Sequence, residues 1–576
     1  MPFIYIRISF EFNYRIRMEV IKIKGNNYTA KIISSLEKVF SNEEPRFKPE
    51  CNRLTALKNE IVSFQVAYHS NHPRITYGSV CIESPIREYI KMRQVIEVPS
   101  SYSCHSIVDD NYLRTEPGLY PDLLRDLDDN RLIYVAGKWH SIWVDIETTE
   151  DIDAGTYPIT IKFYDHEEKE VCSASTEVTI FDVALPEQKL IRTEWFHGDC
   201  LADYYNIEVF SKKHWEIIEN FIATAAKYGI NMILTPQFTP PLDTAVGGER
   251  TTIQLVDVEV DKDLNYSFDF SKLKRWIDIC VDNNIKYIEM SHLFTQWGAQ
   301  FAPKVMATVD GEYKQIFGWD TPAVGGEYTR FLEAYLPQLT HNLKKWGIAQ
   351  NTYFHISDEP NVQHLESYSA AKESVAEYLR GFKVIDALSS YEFYKTGIVK
   401  KPISSNNHIH NFLDNGVENM WSYYCTSQFY NVSNRFMSMP SARNRIYGTQ
   451  LYKYDIEGVL HWGYNFYNSV LSMKQINPYV VTDAMGAFPS GDPFLVYPGS
   501  DGKPEGSIRL MVHYHAMTDL RAMQLLESLT DKEYVMELIE GDLSTPITFD
   551  TYPKSDMYLI NLRNKINREI AKRINA

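Results

Sequence analysis

The sequence lacks long runs of basic residues and long runs of apolar residues. Its 75 acidic residues outnumber its 58 basic residues, which gives a formal net charge of −17 at pH 7. A protein of that charge repels nucleic acid and anionic membrane surfaces, and no segment approaches the ~18 uncharged apolar residues of a membrane span. We therefore expect no nucleic-acid partner and no membrane span. A neutral or small-molecule substrate fits better.

Cysteine is scarce and scattered. The seven cysteines lie at positions 51, 81, 104, 172, 200, 280 and 425, and no two have CxxC spacing. An odd, unpaired set disfavours a disulfide framework and a zinc knuckle, and it fits a reducing compartment. The first twenty residues alternate apolar and polar side chains, with Arg7, Arg15 and Arg17 among them, and they lack the apolar segment of a signal peptide. We expect a cytoplasmic protein, with Met18 as an alternative start.

The motifs of several enzyme classes are also missing. The sequence has no P-loop, GxGxxG or GxSxG element, which disfavours nucleotide-dependent and serine-hydrolase chemistry. His408 and His410 do have the HxH spacing that two metal ligands can use from one strand. Metal-dependent barrel hydrolases place such a pair on the first strand, whereas this pair comes late and has no obvious partners. We therefore predict neither a metal site nor a cofactor, with a metal-dependent hydrolase as a minor alternative.

What the sequence does contain is length and aromatic residues. Chains beyond ~250–300 residues usually divide into domains, so 576 residues predict at least two. Aromatic residues make up 13% of the chain, which is enough for large cores. Aromatic rings also stack on the apolar faces of sugars. Composition therefore leaves open both a core role and a carbohydrate site.

The first third of the chain has the pattern of β-strands. Apolar residues alternate with polar ones, which is the period-two signature of half-buried strands. The alternating apolar residues are Val62, Phe64, Val66 and Tyr68, then Ile142, Val144 and Ile146, then Tyr157, Ile159, Ile161 and Phe163, and finally Val178 and Ile180. No sustained helical pattern separates these segments. We predict an N-terminal antiparallel β-sandwich over residues 1–186, followed by a short linker.

The pattern then changes to alternating helices and strands. Helices are predicted around 211–228, 271–282, 328–346 and 362–380. Short apolar segments predict strands at 190–196, 230–234, 285–290, 352–356, 384–388, 420–424, 445–451 and 458–462. This order predicts a parallel (β/α)8 barrel of the TIM type over residues 187–506. The fold class is therefore α/β plus β, with residues 507–576 as a helical segment packed on the barrel.

Two neighbouring acids, Asp358 and Glu359, follow one of the predicted barrel strands. In the segment YFHISDEP at 353–360, Phe354 and Ile356 should face the outer helices. The alternate residues, Glu359 among them, should face the barrel interior. Pro360 cannot donate to a sheet and should keep Glu359 extended, so the strand is expected to end there.

The position of these acids suggests a reaction. Catalytic groups lie at the carboxyl ends of barrel strands, and repulsion between Asp358 and Glu359 should raise one pKa, which suits a general acid. Most glycosidases place two carboxylates from different strands across the scissile bond. Neighbours on one strand fit the substrate-assisted exception, in which the sugar's 2-acetamido oxygen attacks the anomeric carbon. A helix cap and a salt bridge are the structural alternative for such a pair.

Several long segments resemble a known family. They are TEWFHGDC at 193–200, TPQFTPPLDT at 235–244, SHLFTQWGA at 291–299, SDEP at 357–360, GVLHWGYNF at 458–466 and GDPFLVYPG at 491–499. Together they resemble the catalytic domain of glycoside hydrolase family 123, the β-N-acetylgalactosaminidases, from about residue 190 to 510. The segment at 515–519 departs from that pattern. The resemblance implies a β-sandwich before a barrel, and a retaining mechanism in which Asp358 orients the acetamido group and Glu359 is the acid and base.

Further residues are candidates for binding the sugar, each with a structural alternative. They are Asp199, Arg250, His292, Trp297, Trp421, Tyr423, Tyr424, Trp462 and Asn465, with Asp243, Gln296 and Tyr464 as similar cases. Trp462 should stack against the sugar or fill the core. One of Tyr423 and Tyr424 should hydrogen-bond the acetamido oxygen while the other packs in the core. For the charged residues, a loop salt bridge is the alternative.

The sequence therefore predicts an exo-acting, retaining β-N-acetylgalactosaminidase that releases terminal β-GalNAc from an oligosaccharide or glycolipid glycan. A β-N-acetylglucosaminidase is an alternative, because the two sugars differ only at C4 and no residue is assigned to that contact. A non-catalytic carbohydrate-binding protein on a hydrolase scaffold is another alternative, which the presence of both acids disfavours.

Overall fold

The described part of the chain begins with two packed β-sheets. The computed structural model describes residues 27–46 and 53–574, so Cys51 and the alternative start at Met18 lie outside the described residues. The first ten strands are Tyr28–Ser34, Arg53–Lys58, Glu60–Ser70, Thr76–Glu83, Ile90–Ser100, Gly118–Asp126, Arg131–Tyr134, Trp139–Thr148, Gly155–Asp165 and Glu170–Ala184. Period-two alternation gives each strand one apolar face, and the two sheets bury those faces against each other.

A single apolar core lies between the two sheets. Phe64 and Ile142 come from one sheet, Ile161 and Val178 come from the other, and all four are buried in the same cluster. The predicted β domain ahead of the barrel is therefore present. Its strands pair antiparallel with one exception, the parallel pair formed by Arg53–Lys58 and Glu170–Ala184.

Nine short parallel strands follow and form a nearly closed barrel. They are Ile191–Glu194, Met232–Thr235, Tyr287–Met290, Thr352–Phe354, Lys383–Val384, Asp386–Ala387, Pro402–Ser405, Trp421–Tyr423 and Gly458–His461. The last strand pairs with the first, with Ile191 opposite Gly458. Only Ile385 separates the two shortest strands, which pair with neighbours on opposite sides.

Helices surround the barrel and continue to the end of the described chain. They are Gly198–Tyr205, Lys212–Lys227, Ser271–Asp282, Glu327–Lys345, Leu365–Ala376, Tyr391–Lys395, His410–Leu413, Ser441–Arg445, Tyr447–Lys453, Ile508–Leu529, Lys532–Glu540 and Asp556–Ile574. The helices predicted around 211–228, 271–282 and 328–346 are confirmed, and the one around 362–380 starts with a 3-10 turn, Val362–His364. Among the described residues, no helix has the length and apolarity that crossing a bilayer requires.

Two details of the predicted barrel were wrong. The segment predicted as a strand at 445–451 is helical, within Ser441–Arg445 and Tyr447–Lys453. The strand Pro402–Ser405 was missed, because its serines are buried in the barrel and give no apolar signal. The helical segment lies against the helix Ile508–Leu529, and Gly448 leaves room for that close approach.

A fourth sheet and two strands that pair with the sandwich complete the architecture. Asp257–Val260, Tyr266–Asp269, Val305–Val309 and Glu312–Phe317 form a four-stranded sheet in the connections that follow the second and third barrel strands. Tyr497–Pro498 and Pro504–Ser507 join five strands of the sandwich to form a seven-stranded sheet. Arg509 then makes two hydrogen bonds of 2.8 Å to the carboxylate of Asp122, both side chains being buried. The sandwich and the barrel are therefore joined by backbone pairing and by a buried ion pair.

We predict that Gly448→Ala lowers the free energy of unfolding by about 1–3 kcal/mol or more. A Cβ at this position would lie 2.0 Å from the carbonyl oxygen of Ala516, so one of the two helices must move. Gly118→Ala is the control, because a Cβ there meets nothing within 4 Å. Thermal unfolding followed by circular dichroism measures both variants, and equal midpoints would contradict the predicted close contact.

Candidate active site

A cavity opens at the carboxyl ends of the barrel strands, which is the catalytic face of such barrels. Its volume is about 190 Å³. A cavity of ~150 Å³ holds a benzene ring in another protein, so this space fits one six-membered sugar ring. The lining residues are Trp195, His197, Leu242, Asp243, Gln296, Trp297, Asp358, Glu359, Ala387, Tyr423, Cys425, Thr426, Leu460, Trp462 and Phe488.

Asp358 and Glu359 both face this cavity, and three residues separate them from the end of the strand Thr352–Phe354. The backbone of Glu359 has a φ of 43°, so the prediction that Pro360 keeps it extended was wrong. Hydrogen bonds on both sides set this conformation. The Glu359 amide donates to the carbonyl of Ala387 at 3.2 Å, and the Trp297 amide donates to the carbonyl of Asp358 at 3.0 Å. A left-handed conformation in a non-glycine residue is strained, and such strain concentrates at functional sites.

Both carboxyl groups of this pair hold a proton more tightly than isolated carboxyl groups do. Burial raises the pKa of Asp358 well above its ordinary value, and the charge of Glu359 raises it further. Desolvation also raises the pKa of Glu359, although this residue is partly open to solvent at the cavity. The two groups titrate as a pair, and like charges this close favour a state with one proton between them. Such a state supplies a general acid and an anion side by side.

Tyr423 is the tyrosine that contacts the acids. Its hydroxyl donates to Oε1 of Glu359 at 2.9 Å, which opposes the rise in the pKa of that carboxyl. Tyr424 points away from the cavity and packs edge-on against Tyr447 and His461. Of the two predicted tyrosines, the structure thus brings only Tyr423 to the site.

Aromatic rings form much of the cavity wall. The indole nitrogen of Trp462 donates to Oδ2 of Asp492 at 3.0 Å, and that of Trp195 donates to Oε1 of Glu289 at 2.9 Å. Burial raises the pKa of Asp492 to about 7. Trp297 is 41% exposed at the mouth. Flat walls of this kind suit the C–H faces of a sugar ring.

A polar cluster holds His197 in the wall. Nη2 of Arg250 donates to Nδ1 of His197 at 3.1 Å, and Arg250 also forms two hydrogen bonds with the carboxylate of Asp199. Asn465 bonds both the backbone N–H and the carbonyl of His197. Burial lowers the pKa of His197 to about 4, so its ring is neutral, and Nε2 donates to the carbonyl of Trp462 at 2.9 Å.

Asp243 is the third acid in the lining. Its Oδ2 accepts from the Leu471 amide at 2.9 Å, and its own amide donates to Oε1 of Gln296 at 2.8 Å. Burial raises the pKa of Asp243 to about 6, although the charge of Arg250 opposes this rise. The cavity therefore combines three acids with five large aromatic side chains, Trp195, Trp297, Tyr423, Trp462 and Phe488.

Comparison with protein families decides which enzymes this chain is related to. The model of the glycoside hydrolase 123 catalytic domain matches residues 195–526, more than half of the chain. The chain belongs to glycoside hydrolase family 123. The match covers every barrel strand after Ile191–Glu194, every residue of the cavity lining and most of the helix Ile508–Leu529.

The fold agrees with this membership of family 123. A family 123 glycoside hydrolase from Clostridium perfringens aligns over 95% of this chain and 98% of its own, with a TM-score of 0.70 and 15% identity. The Parabacteroides merdae β-glucuronidase aligns over 86% of this chain and 52% of its own, with a TM-score of 0.27 and 8% identity. So low a score supports no argument. A comparison with curated proteins gives no significant match.

Several predicted sugar-binding residues of this family 123 chain do not line the cavity. Trp421 is fully buried in the core of the barrel, where its ring lies against the backbone of Gly458. His292 is buried and stacked on His355, with ring centroids 4.3 Å apart. Tyr464 is buried against Phe196 and donates its hydroxyl to the carbonyl of Phe221. These three predictions are therefore corrected, because barrel packing takes the side chains away from the cavity.

Other predicted residues lie behind the wall of the family 123 site. Arg250 and Asn465 hydrogen-bond His197, Asp199 hydrogen-bonds Arg250, and all three are absent from the lining. Trp297, Trp462, Asp243 and Gln296 do line it. Trp195 and His197 also line the cavity and are not among the predicted sugar-binding residues, although both lie in the family-like segment at 193–200.

The HxH pair does not form two ligands on one strand. His408 lies in a turn with Nδ1 3.0 Å from Oγ of Ser405, and His410 begins a short helix. Within residues 27–46 and 53–574, no group of three His, Cys, Asp or Glu side chains is arranged to hold a metal ion. The six described cysteines are free, and burial raises the pKa of the Cys425 thiol in the cavity wall.

We predict that Tyr423→Phe shifts the basic limb of the kcat–pH profile to higher pH by up to about one unit. The hydroxyl lowers the pKa of Glu359, so its loss raises that pKa, and the proton of the acid is kept to higher pH. Tyr424→Phe is the matched control, because its hydroxyl has no partner among the described residues. The profiles are measured on a chromogenic β-glycoside, and a downward or equal shift in the two variants would refute the assignment.

Proposed function

We propose that this chain is a retaining, exo-acting β-N-acetylgalactosaminidase that uses the 2-acetamido group of its substrate as the nucleophile. The observation that carries the proposal is that Asp358 and Glu359 leave the end of one strand into one small cavity. Two groups so placed reach the same side of a bound ring, whereas a conventional glycosidase sets its two carboxylates across the scissile bond.

The roles of the two acids follow from the reaction. Glu359 donates its proton to the glycosidic oxygen as the C1–O bond breaks, and the acetamido oxygen forms a bond to C1. Asp358 accepts from the acetamido N–H and stabilises the positive charge of the oxazolinium ring. Water then attacks C1 and gives its proton to Glu359, and the acetamido C–O bond to C1 breaks. Two inversions at C1 give net retention.

The shape of the cavity supports attack at a chain end. Its volume holds one sugar ring, and Trp297 stands exposed beside the opening, where a further sugar or aglycone would leave. We also infer that the barrel belongs to the (β/α)8 class. The two strands around Ile385 then count as one, which leaves eight strands in a closed order.

The choice of substrate rests on similarity as well as chemistry. The structure of the Clostridium perfringens protein was described for glycolipid glycan hydrolysis, and we propose a terminal β-GalNAc of an oligosaccharide or glycolipid glycan here. A β-N-acetylglucosaminidase is the second candidate. Both acids reach the cavity with raised pKa values, which favours an enzyme over a carbohydrate-binding protein. The cytoplasmic location stays a prediction.

We predict that 4-nitrophenyl β-GalNAc is cleaved and that the β-galactoside is cleaved with a kcat/KM lower by about 10³-fold or more, because galactose lacks the intramolecular nucleophile. The β-GlcNAc substrate tests the second candidate in the same assay. Asp243 is the lining acid from another strand. If it served as the nucleophile, galactoside would be hydrolysed comparably, and that result would end the substrate-assisted proposal.

We predict that Glu359→Gln lowers kcat by about 10²–10⁴-fold on a natural glycan, because its leaving oxygen needs a proton. On a 2,4-dinitrophenyl glycoside the loss should be small. Glu366→Gln is the matched control, since Glu366 is exposed on a helix outside the cavity. Full activity of Glu359→Gln on the natural glycan would show that another group is the acid.

A further inference from the structure

A buried histidine lies directly beneath the acid pair. His355 is the first residue after the strand Thr352–Phe354 and lies three residues before Asp358. It sits between one carboxylate from the strand Tyr287–Met290 and one from the strand Asp386–Ala387. Its Nε2 donates to Oε1 of Glu289 at 2.6 Å, and its Nδ1 lies 3.5 Å from Oδ1 of Asp386. All three side chains are at most 1% exposed.

Both carboxylates accept hydrogen bonds from other neighbouring groups. Glu289 accepts from the indole N–H of Trp195 and from the hydroxyl of Thr193. Asp386 accepts from the backbone N–H of Ile356 at 2.9 Å and from the hydroxyl of Tyr368. Backbone and indole N–H groups can only donate, so the oxygens that face them carry lone pairs.

This arrangement favours an imidazolium ring, whose Nε2 hydrogen-bonds Glu289 and whose Nδ1 lies within ion-pair distance of Asp386 without forming a hydrogen bond. A neutral ring would direct a lone pair at one of the two carboxylates, which is unfavourable in a buried site. Burial alone would lower the pKa of His355, but its contacts with Asp386 and Glu289 outweigh this and raise it to about 9.

The same cluster touches the parts that shape the site. Glu289 holds Trp195, which lines the cavity, and Asp386 holds the backbone just before Asp358. The charge of His355 favours the ionised form of Asp358, whereas the charge of Asp386 opposes it. The positive charge of His355 thus lowers the pKa of Asp358, and the negative charge of Asp386 raises it.

We propose that His355 is a positioning residue whose fixed positive charge, held between Glu289 and Asp386, keeps the Asp358–Glu359 pair in its singly protonated state. This inference rests on the proposed function. Without the cation, two buried anions would lie beneath the pair and would draw a second proton onto it. The doubly protonated pair has no anion to receive the acetamido N–H, so it is inactive.

His292 provides the comparison within the same layer. It stacks on His355 and is equally buried, but burial and the charge of His355 lower its pKa well below the ordinary value. Three groups from neighbouring segments thus face His355, namely Glu289, Asp386 and the neutral His292. Asp358, three residues further along the chain, is the fourth. Only the first two carry a charge that fixes the ring.

The test measures the acid limb of the kcat/KM–pH profile, which reports the uptake of a second proton by the free pair. We expect His355→Gln to move this limb to higher pH by about one unit. Asp386→Asn should move it to lower pH, because the amide still accepts from Ile356 while one negative charge is lost. His292→Gln, which changes no charge, should leave the limb in place.

Shifts of opposite sign separate electrostatics from packing. If His355→Gln loses activity equally at every pH while its limb stays in place, or if both charge variants shift the limb in the same direction, the proposal is overturned. If His355→Gln fails to fold, Asp386→Asn decides alone: a limb at lower pH supports the proposal and an unmoved limb overturns it.

The outcome does not depend on the identity of the sugar. The limb is followed on whichever β-glycoside the wild-type protein cleaves, so a wrong substrate leaves the test intact. If no glycoside is cleaved, the proposed function fails, and ¹³C NMR titration of the carboxyl groups of Asp358 and Glu359 reads the same shifts directly.

Discussion

The site depends on the repulsion between two neighbouring acids that share one crowded cavity. Asp358 and Glu359 cannot both be ionised at low cost there, because burial and mutual charge disfavour the dianion. Two neighbouring side chains change the free energy of the ionised forms of this pair. The hydroxyl of Tyr423 stabilises the anion on one carboxyl, and the imidazolium of His355 stabilises it on the other. The result is a pair with one proton, which is what an acid that works beside an anion requires.

The N-terminal sandwich contacts a loop that lies behind the wall of the cavity. The loop that carries Asp492, the partner of Trp462, is anchored to the N-terminal domain. The Ser490 amide donates to the carbonyl of Tyr102 at 2.8 Å, and the hydroxyl of Ser100 donates to Oγ of Ser490 at 2.6 Å. Because Trp462 forms part of the cavity wall, the sandwich fixes the wall through this loop. The contacts of the sandwich with this loop thus reach the wall of the cavity through Asp492 and Trp462.

The sequence predicted the frame and the acids better than it predicted the lining. Long helices can be predicted from the periodicity of a short segment. The acid pair can be predicted in the same way, because a strand end followed by proline is also a short-range signal. Trp421 and Tyr423 lie on one strand and have the same parity, so their side chains point to the same face of the sheet. Which of them reaches the cavity depends on its depth in the barrel, and parity does not give that depth. The strand Pro402–Ser405 was missed for a related reason, because serines buried by tertiary packing resemble a loop in the sequence.

Backbone strain is the part of the site that the sequence hides most completely. Asp243, Trp297 and Glu359 have φ values of 39°, 59° and 43°, and all three line the cavity. A left-handed turn can usually be predicted from a glycine in the sequence. Glycine, however, has no side chain that could contact a ligand. A lining residue in such a turn must keep its side chain, so the conformation is held instead by contacts such as the bond from the Trp297 amide to the Asp358 carbonyl. That bond links the strained Trp297 to Asp358, the residue next to the strained Glu359, so the mouth of the cavity and the acid pair are fixed together.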